Sequence, residues 1–340
     1  MTQQPLISIR DLHVRYRTEG LLWGGRREVR AVDGVSLEID RNETLGLVGE
    51  SGCGKSTFGK AVLRLIEIEQ GKIFLEGTDL TGLSRTAMRK HRKRLQMIFQ
   101  DPYNSLNPRM TAGEIISEPI RAFSSDKKDR IDLKVAELLD TVGLGRRAAN
   151  RFPRQFSGGQ RQRIGIARAL AAEPDLIVAD EPVSALDVSI QAQILNLMER
   201  VQAERGLAYL FISHDLRAVR QISHRIAVMY LGRIVEIAPA DELYAGPLMP
   251  YTKALVSAVP IPDPLVEAKR ERIVLSGDLP SPSDPPTGCR FHTRCNYAVP
   301  QCRETEPALI EIRPRHFAAC SRISPERPDI DMNTDRQSQQ

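Results

Sequence analysis

Several features that identify a class of protein are absent from this sequence. No apolar run approaches the roughly 18–20 residues that a membrane-spanning helix needs, and the densest run, 207–212, has the length of a strand. The first ten residues contain no basic segment followed by an apolar one, so we expect no secretory signal. These absences exclude an integral membrane protein and predict a protein of the cell interior.

A strong excess of charge is absent as well. The 48 Lys and Arg residues against 43 Asp and Glu give a net charge of +5 over 340 residues. This balance neither requires nor excludes a nucleic acid or an anionic membrane as partner. A hydrophobic content of 41% and a charged content of 27% are typical of a folded soluble protein. The length allows two domains, or one large domain with an appendage.

Cysteine is nearly absent before residue 289. The first 288 residues contain Cys53 alone, whereas four cysteines lie close together near the C-terminus: Cys289, Cys295, Cys302 and Cys320. In a reducing compartment such a cluster indicates metal binding before disulfides. Its spacing, C-x5-C-x6-C-x17-C, lacks the close C-x2–4-C pair of structural zinc sites. Four loosely spaced thiolates suit a 4Fe–4S cluster instead, with zinc and free thiols as the alternatives.

The composition changes near residue 239, because 15 of the 22 prolines lie from there to the end. We therefore predict an irregular region over 239–320 and a disordered tail over 321–340, which is polar and lacks aromatic residues. The cysteines would staple a region with too little core to fold alone. His292 and His316 lie near them in sequence and could support ligands, although a surface position is the simpler interpretation.

The hydrophobic pattern before residue 239 predicts an α/β fold, with short apolar strands alternating with amphipathic helices. The predicted strands are 6–17, 29–40, 44–48, 96–100, 176–179, 207–213 and a hairpin over 226–237. The predicted helices are one from Lys55, 113–142 with breaks around Pro119 and Ser124–Asp126, 158–172 and 189–204. In the first helix, Phe58, Val62, Leu65 and Ile66 are expected to share one buried face.

A glycine-rich loop between the strand 44–48 and the next helix has the pattern G-x-x-x-x-G-K-S/T of a phosphate site. Its residues are Gly49, Glu50, Ser51, Gly52, Cys53, Gly54, Lys55, Ser56 and Thr57. Glycines let the backbone N–H groups face the phosphates, and the helix directs its positive dipole end at the same anion. We expect Lys55 to reach the β- and γ-phosphates of ATP and Ser56 to bind Mg²⁺. Cys53 is interpreted as a small residue that the loop tolerates.

Two carboxylates, Asp180 and Glu181, end the apolar strand 176–179. A carboxylate at the end of a parallel strand is placed to hold the Mg²⁺ shell, which we assign to Asp180. Glu181 can then polarise an attacking water as general base. A plain helix N-terminal charge is the alternative, since Pro182 follows.

Further motifs follow the glycine-rich loop in a fixed order, and together they resemble the ATP-binding-cassette (ABC) ATPases over residues 6–238. They are Gln100 at the end of QMIFQ, the stretch Ser157, Gly158, Gly159 and Gln160, the Asp180–Glu181 pair, SALD ending at Asp187, and His214 in ISHD. The resemblance implies a RecA-like subdomain, an antiparallel β subdomain and a helical subdomain over about 101–157.

The resemblance also implies roles for these residues. Gln100 would be the Q-loop glutamine and a Mg²⁺ contact, His214 the switch histidine, and Tyr16 an aromatic that stacks on the adenine. Residues 157–160 would be the signature motif, which faces the ATP of a second subunit. One chain would then carry two half-sites and need a partner ATPase.

Longer segments resemble one branch, the peptide/nickel/opine importer ATPases, and in particular the F-type dipeptide subunit. They are 20–36, DPYNSLNPRM at 101–110, 229–255 and the cysteine-bearing stretch from 275. The resemblance implies ATP-driven import of di- or oligopeptides across a bacterial inner membrane, with the chain on the cytoplasmic face. Its implied partners are a D-type sister ATPase, two permeases and a periplasmic binding protein. It also implies that the cysteine motif carries a 4Fe–4S cluster.

Two other functions compete with import. A soluble ABC ATPase of DNA repair or translation usually carries two cassettes or long coiled-coil insertions, and this chain has neither. A regulatory subunit without turnover is disfavoured by Lys55, Asp180, Glu181 and His214. The basic run 85–94 is a solvated helix face or a contact for anionic lipid headgroups. It has no interleaved aromatic residue, so no nucleic acid is expected.

Overall fold

The computed structural model describes residues 4–18, 27–260, 272–275 and 277–330. Most of the connector before the second strand, residues 19–26, lies outside the described residues. The strands are β1 (Ile7–Thr18), β2 (Arg27–Ile39), β3 (Thr44–Val48), β4 (Gln70–Leu75), β5 (Thr78–Asp79), β6 (Leu95–Ile98), β7 (Leu176–Asp180), β8 (Ala208–Ile212), β9 (Arg225–Tyr230), β10 (Arg233–Pro239), β11 (Ile310–Arg313) and β12 (His316–Ala318).

Helices fill the connections between these strands. They are α1 (Lys55–Val62), α2 (Arg85–Arg92), α3 (Pro102–Ser105), α4 (Ala112–Phe123), α5 (Lys128–Thr141), α6 (Gly158–Leu170), α7 (Val188–Arg205), α8 (Leu216–Ile222), α9 (Ala240–Ala245), α10 (Pro250–Ser257) and α11 (Gln301–Glu304). Short 3-10 helices cover Arg146–Asn150, Pro153–Gln155 and His292–Arg294. No helix within the described ranges combines the length and the apolar character needed to cross a bilayer.

The larger sheet has the order β11-β12-β10-β9-β3-β8-β7-β6, and its strands from β9 to β6 run parallel. Every residue of β3, β7 and β8 is buried, because helices cover both faces. The carboxyl ends of these parallel strands meet at one edge of the sheet, where open α/β sheets bind their ligands. The predicted α/β fold is confirmed.

An antiparallel sheet with the order β2-β1-β4-β5 packs beside α1. The alternating apolar residues of β1, including Ile7 and Ile9, are buried together with Phe58 and Val62 of α1. The prediction that Leu65 lies on the same buried face of α1 as Phe58 and Val62 is wrong. The helix stops at Val62 and Arg64 takes a left-handed conformation with φ of 53°, so Leu65 is 44% exposed.

The helical part of the chain follows β6 and comprises α3, α4 and α5. The predicted break at Ser124 is confirmed, because α4 ends at Phe123. The break predicted at Pro119 is wrong, since Pro119 lies inside α4. Buried residues of α4 and α5, such as Ile116 and Leu139, join one core with α6.

The C-terminal region is more regular than its composition predicts. Strands β11 and β12 extend the larger sheet beside β10, and Phe291 and Ile312 belong to the same hydrophobic core as α6 and β8. The tail predicted from residue 321 is wrong for 321–330, where Ile323 and Ile330 are buried. Residues 331–340 lie outside the described residues. The C-terminal region therefore shares a core with the rest of the chain.

Candidate functional site

The glycine-rich loop turns sharply between β3 and α1. Gly52 and Gly54 have φ of 80° and 110°, which L side chains rarely adopt. A Cβ on Gly54 would lie 2.0 Å from the carbonyl oxygen of Ala31, so the loop passes the neighbouring strand where only glycine fits. The backbone N–H groups at the start of α1 are thereby left to face an anion.

Lys55 is buried inside this loop. Its Nζ donates hydrogen bonds to the carbonyl oxygens of Gly49, at 2.7 Å, and Glu50, at 3.0 Å. The ammonium group is therefore held at the centre of the loop, where a phosphate would meet it. Cys53 is also buried, and burial raises the pKa of its thiol. Its sulfur lies 3.8 Å from Lys55 Nζ, so it packs under the loop.

Asp180 lies directly beside the loop, at the end of β7. The Oγ of Ser56 donates a hydrogen bond to Asp180 Oδ1 over 2.8 Å. Burial raises the pKa of the Asp180 carboxyl group, and the Ser56 hydrogen bond opposes that shift. A hydroxyl and a carboxylate side by side are oxygen ligands of the type that Mg²⁺ prefers.

Glu181 gathers two other predicted site residues around its carboxylate. Gln100 Nε2 donates to Glu181 Oε2 over 2.9 Å, and His214 Nδ1 lies 3.1 Å from Oε1. Glu181 has φ of 47°, a left-handed backbone conformation that is uncommon outside glycine and recurs at functional sites. Gln100, Glu181 and His214 follow the ends of β6, β7 and β8, and their side chains therefore meet at the Glu181 carboxylate.

Most of the predicted nucleotide-binding residues line one cavity of about 330 Å³. Its wall includes the loop from Ser51 to Thr57, with Gln100 and Glu181 at one side. Tyr16 also lines it and is 42% exposed, so its ring face is open to a base. Pro282, from the C-terminal region, lines the same cavity.

The predicted signature stretch lies elsewhere. Ser157 caps α6, where its Oγ accepts from the Gln160 N–H and its own N–H donates to Gln160 Oε1. Ser157 is exposed. Among the described residues that line the nucleotide cavity, none belongs to 157–160. The structure therefore brings Tyr16, Lys55, Gln100 and Glu181 together around one cavity, and the α6 N-terminus does not line it.

The four C-terminal cysteines line one small cavity, together with His292. Burial, together with the neighbouring thiols, raises the pKa of Cys289 to about 11 and that of Cys295 to about 12. No three His, Cys, Asp or Glu side chains of the described residues are placed to share one metal ion. The geometry of these side chains therefore supports neither the predicted iron–sulfur cluster nor the zinc alternative.

The surface position expected for the two histidines is wrong. His316 is 1% exposed and its Nε2 lies 2.7 Å from Oε1 of the fully buried Glu236. His292 is half-buried and hydrogen-bonds the carbonyl oxygen of Cys289. His316 therefore joins β12 to β10, and it does not face the cysteines.

Sequence reasoning missed one part of the site. Arg294, between two of the cysteines, forms a two-pronged ion pair with Glu50 of the glycine-rich loop. The cysteine region, which is far from this loop in the sequence, therefore contacts it in the structure. The two residues are 244 positions apart, and no local pattern in the sequence marks their pairing.

Comparisons with known proteins agree with this geometry. A family model described as "ABC transporter" matches residues 32–184, and one described as "Oligopeptide/dipeptide transporter, C-terminal region" matches 235–302. The chain is 54% identical to the putative oligopeptide transport ATP-binding protein YkfD of Bacillus subtilis, over 94% of this chain and 96% of that protein. It is 52% identical to the oligopeptide transport ATP-binding protein OppF of Salmonella typhimurium, over 94% of this chain and 97% of that protein.

Among solved structures, the dimeric ATP-binding cassette MJ0796 bound to ADP and Pi superposes with a TM-score of 0.62 at 27% identity. The match covers 69% of this chain and 98% of that one. The shared part contains the ATP-binding cassette, and the long matches to YkfD and OppF extend through the C-terminal region. The chain therefore belongs to the ABC transporter family, as an ABC ATPase that carries the C-terminal region of the oligopeptide/dipeptide transporters.

Proposed function

We propose that this chain is the ATP-hydrolysing subunit of an importer for di- or oligopeptides, or a related small solute, on the cytoplasmic face of a bacterial inner membrane. The observation that carries the proposal is the convergence of Gln100, Glu181 and His214 beside the glycine-rich loop. The names of its relatives, which are oligopeptide transport ATP-binding proteins, supply the solute class. ATP and Mg²⁺ are the expected cofactors.

In the proposed mechanism, Lys55 and the loop N–H groups hold the phosphates, and Tyr16 stacks on the adenine. Ser56 and Asp180, with Gln100 reaching from the next strand end, would hold Mg²⁺, which neutralises charge on the β- and γ-phosphates when it is bound. Glu181 accepts the proton of the attacking water. Gln100 and His214 hold the Glu181 carboxylate in place for that transfer.

We further propose that ATP is bound between two such subunits, here a D-type sister ATPase and this chain. The α6 N-terminus is exposed and capped at Ser157, so it can meet an anion on another molecule. MJ0796, which shares 27–28% identity with this chain, is described as dimeric. Binding of two ATP molecules would close the pair, and hydrolysis would let it reopen.

An apolar groove lies beside Gln100 and suits a helix of a permease subunit. Its apolar residues are Leu63, Leu65, Leu95, Met97, Phe99, Pro119, Ala122 and Phe123. Leu65 and Phe99 are 44% and 40% exposed, which is unusual for large apolar side chains gathered in one place. Phe99 precedes Gln100, so a helix seated here would press directly on the segment that touches Glu181. The permeases would thereby sense the nucleotide.

Leu65→Glu should abolish co-purification of the chain with its permeases from membranes. A carboxylate at this position would have to give up hydration when an apolar helix covers the groove. The Kd of the isolated chain for ATP should stay within about twofold, because Leu65 does not line the nucleotide cavity. The matched control is Leu133→Glu, a 61% exposed leucine on α5 outside the groove. Equal membrane binding by both variants would contradict docking in this groove.

The function itself is tested by reconstitution. The chain, its sister ATPase, two permeases and the binding protein are placed in vesicles, and uptake of a labelled dipeptide is measured with and without ATP. ATP-dependent uptake supports the proposal. Co-purification with RNA or DNA, together with stimulation of hydrolysis by nucleic acid, would favour the soluble repair or translation ATPase.

We also propose that the four cysteines hold a 4Fe–4S cluster. Four thiols line one cavity with no competing carboxylate among its lining residues. In such a cluster each cysteine thiolate would bind a different iron atom, so the four cysteine sulfurs need not surround a single metal ion. Gathered thiols oppose one another's ionisation, and iron would stabilise the thiolates. The cluster would tie Cys289 to Cys320 and fasten the C-terminal region.

Protein purified without oxygen should therefore be brown and contain about four iron and four sulfide per chain. Cys295→Ser should bleach it and remove most of the iron. Cys53→Ser is the control, because this cysteine lies outside the cavity and should leave the colour unchanged. Colourless anaerobic protein with bound zinc, or with four thiols that alkylate freely, would contradict the assignment.

A further inference from the structure

Glu50, the second residue of the glycine-rich loop, is held from three sides. Its backbone N–H donates to the hydroxyl of Tyr251 over 2.9 Å, and its carbonyl oxygen accepts from Lys55 Nζ. Its carboxylate accepts two parallel hydrogen bonds from Arg294, of 2.7 and 3.1 Å. Two of these three partners, Tyr251 and Arg294, come from the part of the chain beyond the ATPase core.

Arg294 is fixed before it meets the loop. Its side chain is 9% exposed and lies in the short 3-10 helix between Cys289 and Cys295. Phe291, the residue that precedes this helix, belongs to a cluster of three aromatic rings with Tyr230 and Tyr251, whose ring centroids are 4.7 to 5.3 Å apart. A guanidinium group whose position is already fixed loses little side-chain entropy when its two NH₂ groups each donate to one oxygen of a carboxylate.

The C-terminal region reaches the nucleotide cavity at two further points. Pro282 lines the cavity, and its carbonyl oxygen accepts from the N–H of Arg30. Arg290, on the other side of Cys289, forms a buried ion pair with Asp33 and donates to the carbonyl of Leu231. The C-terminal region therefore contacts both β2 and the glycine-rich loop, and Arg294 makes the contact with the loop.

We propose that Arg294 is a positioning residue of the nucleotide site, which holds the glycine-rich loop through Glu50 and neutralises the Glu50 carboxylate within that loop. The proposal rests on the assignment of this loop to ATP. Without Arg294, an uncompensated carboxylate would lie in the loop that must accept a polyanion, and like charge would oppose binding. The loop would also lose its main link to the C-terminal region.

The test compares Arg294→Met in the full chain with Arg313→Met, a control arginine of the same region that pairs with Asp329 on the surface. We expect Arg294→Met to raise the KM for ATP and the Kd of a fluorescent ATP analogue by about 10–100-fold. At saturating ATP, kcat should stay within about twofold, because Gln100, Glu181 and His214 are untouched. Arg313→Met should match the wild-type chain.

A second pair of variants separates charge from packing. Glu50→Gln in the Arg294→Met background removes the unpaired carboxylate and should recover most of the lost affinity, and Arg294→Lys should recover part of it. If Arg294→Met folds poorly, Arg294→Lys still provides the test. Unchanged affinity in both Arg294 variants, or a double variant as weak as Arg294→Met, would overturn the proposal. Absence of ATP hydrolysis by the wild-type complex would instead contradict the proposed function.

Discussion

Replacing Glu181 by glutamine should leave ATP binding intact and lower turnover by about 10²–10⁴-fold, the loss expected for a general base. Glutamine keeps the size of the side chain and can still meet Gln100. Its amide cannot accept the proton of the attacking water. Since hydrolysis reopens the proposed pair of subunits, the variant should also trap the closed pair with ATP bound.

The substitution is well matched to the local backbone. Glu181 has φ of 47°, and glutamine tolerates this conformation about as well as glutamate, so little added strain is expected. Glu173→Gln is the control, because Glu173 also has a left-handed backbone, with φ of 55°, but its side chain is exposed and meets Lys93 and Lys134. It should leave turnover unchanged.

Turnover is measured in a complex whose sister ATPase carries disabled sites, since those sites would mask the loss. ATP binding is measured separately with a non-hydrolysed analogue. Near-normal hydrolysis by the Glu181→Gln complex would remove Glu181 from the mechanism. A loss of analogue binding as large as the loss of turnover would show instead that the carboxylate holds the nucleotide.

The elements nearest the nucleotide site were predictable because their signals are local. An apolar strand, a glycine loop and a helix follow one another within 44–62, and the strand ending at Asp180 is apolar throughout. The convergence of Gln100, Glu181 and His214 follows from the rule that parallel strands end at one sheet edge. The order of these motifs assigned the three residues to one site through its resemblance to the ABC ATPases.

The contributions of the C-terminal region were not predictable, since they depend on contacts between distant residues. Strands β11 and β12 are short and partly polar, and they form because β10 offers an open edge beside them. His316 is buried by its pairing with Glu236, 80 residues away. Leu65 was assigned to a buried face because helix periodicity does not reveal where α1 stops or that an open groove lies beside it.

Ser157→Arg should leave ATP binding by this chain within about threefold of normal and lower hydrolysis at the partner's site by about 10²–10³-fold, the effect of losing a preorganised group that stabilises developing charge. Ser157 is exposed at the start of α6 and does not line the cavity of its own chain. In the proposed pair, the helix N-terminus faces the γ-phosphate held by the sister subunit. A long side chain there blocks the approach.

Arginine also removes the cap of α6, at a cost of about 1 kcal/mol, so a second variant is needed. Ser157→Asp keeps the cap, because aspartate caps helices as well as serine, but it places negative charge against the phosphate. It should impair the partner's site with no loss of thermal stability. Ser157→Thr keeps both the cap and the hydroxyl and should retain most of the activity.

The measurement needs hydrolysis at one site alone. Glu181→Gln in this chain silences its own site. In a single turnover, which does not require the closed pair to reopen, the remaining hydrolysis therefore belongs to the site formed by the partner's loop and Ser157. Loss of that activity in the arginine and aspartate variants, with normal binding at this chain's own loop, supports a shared site. If Ser157→Arg weakened only ATP binding by its own chain, each subunit would complete its site alone and the two-subunit arrangement would be wrong.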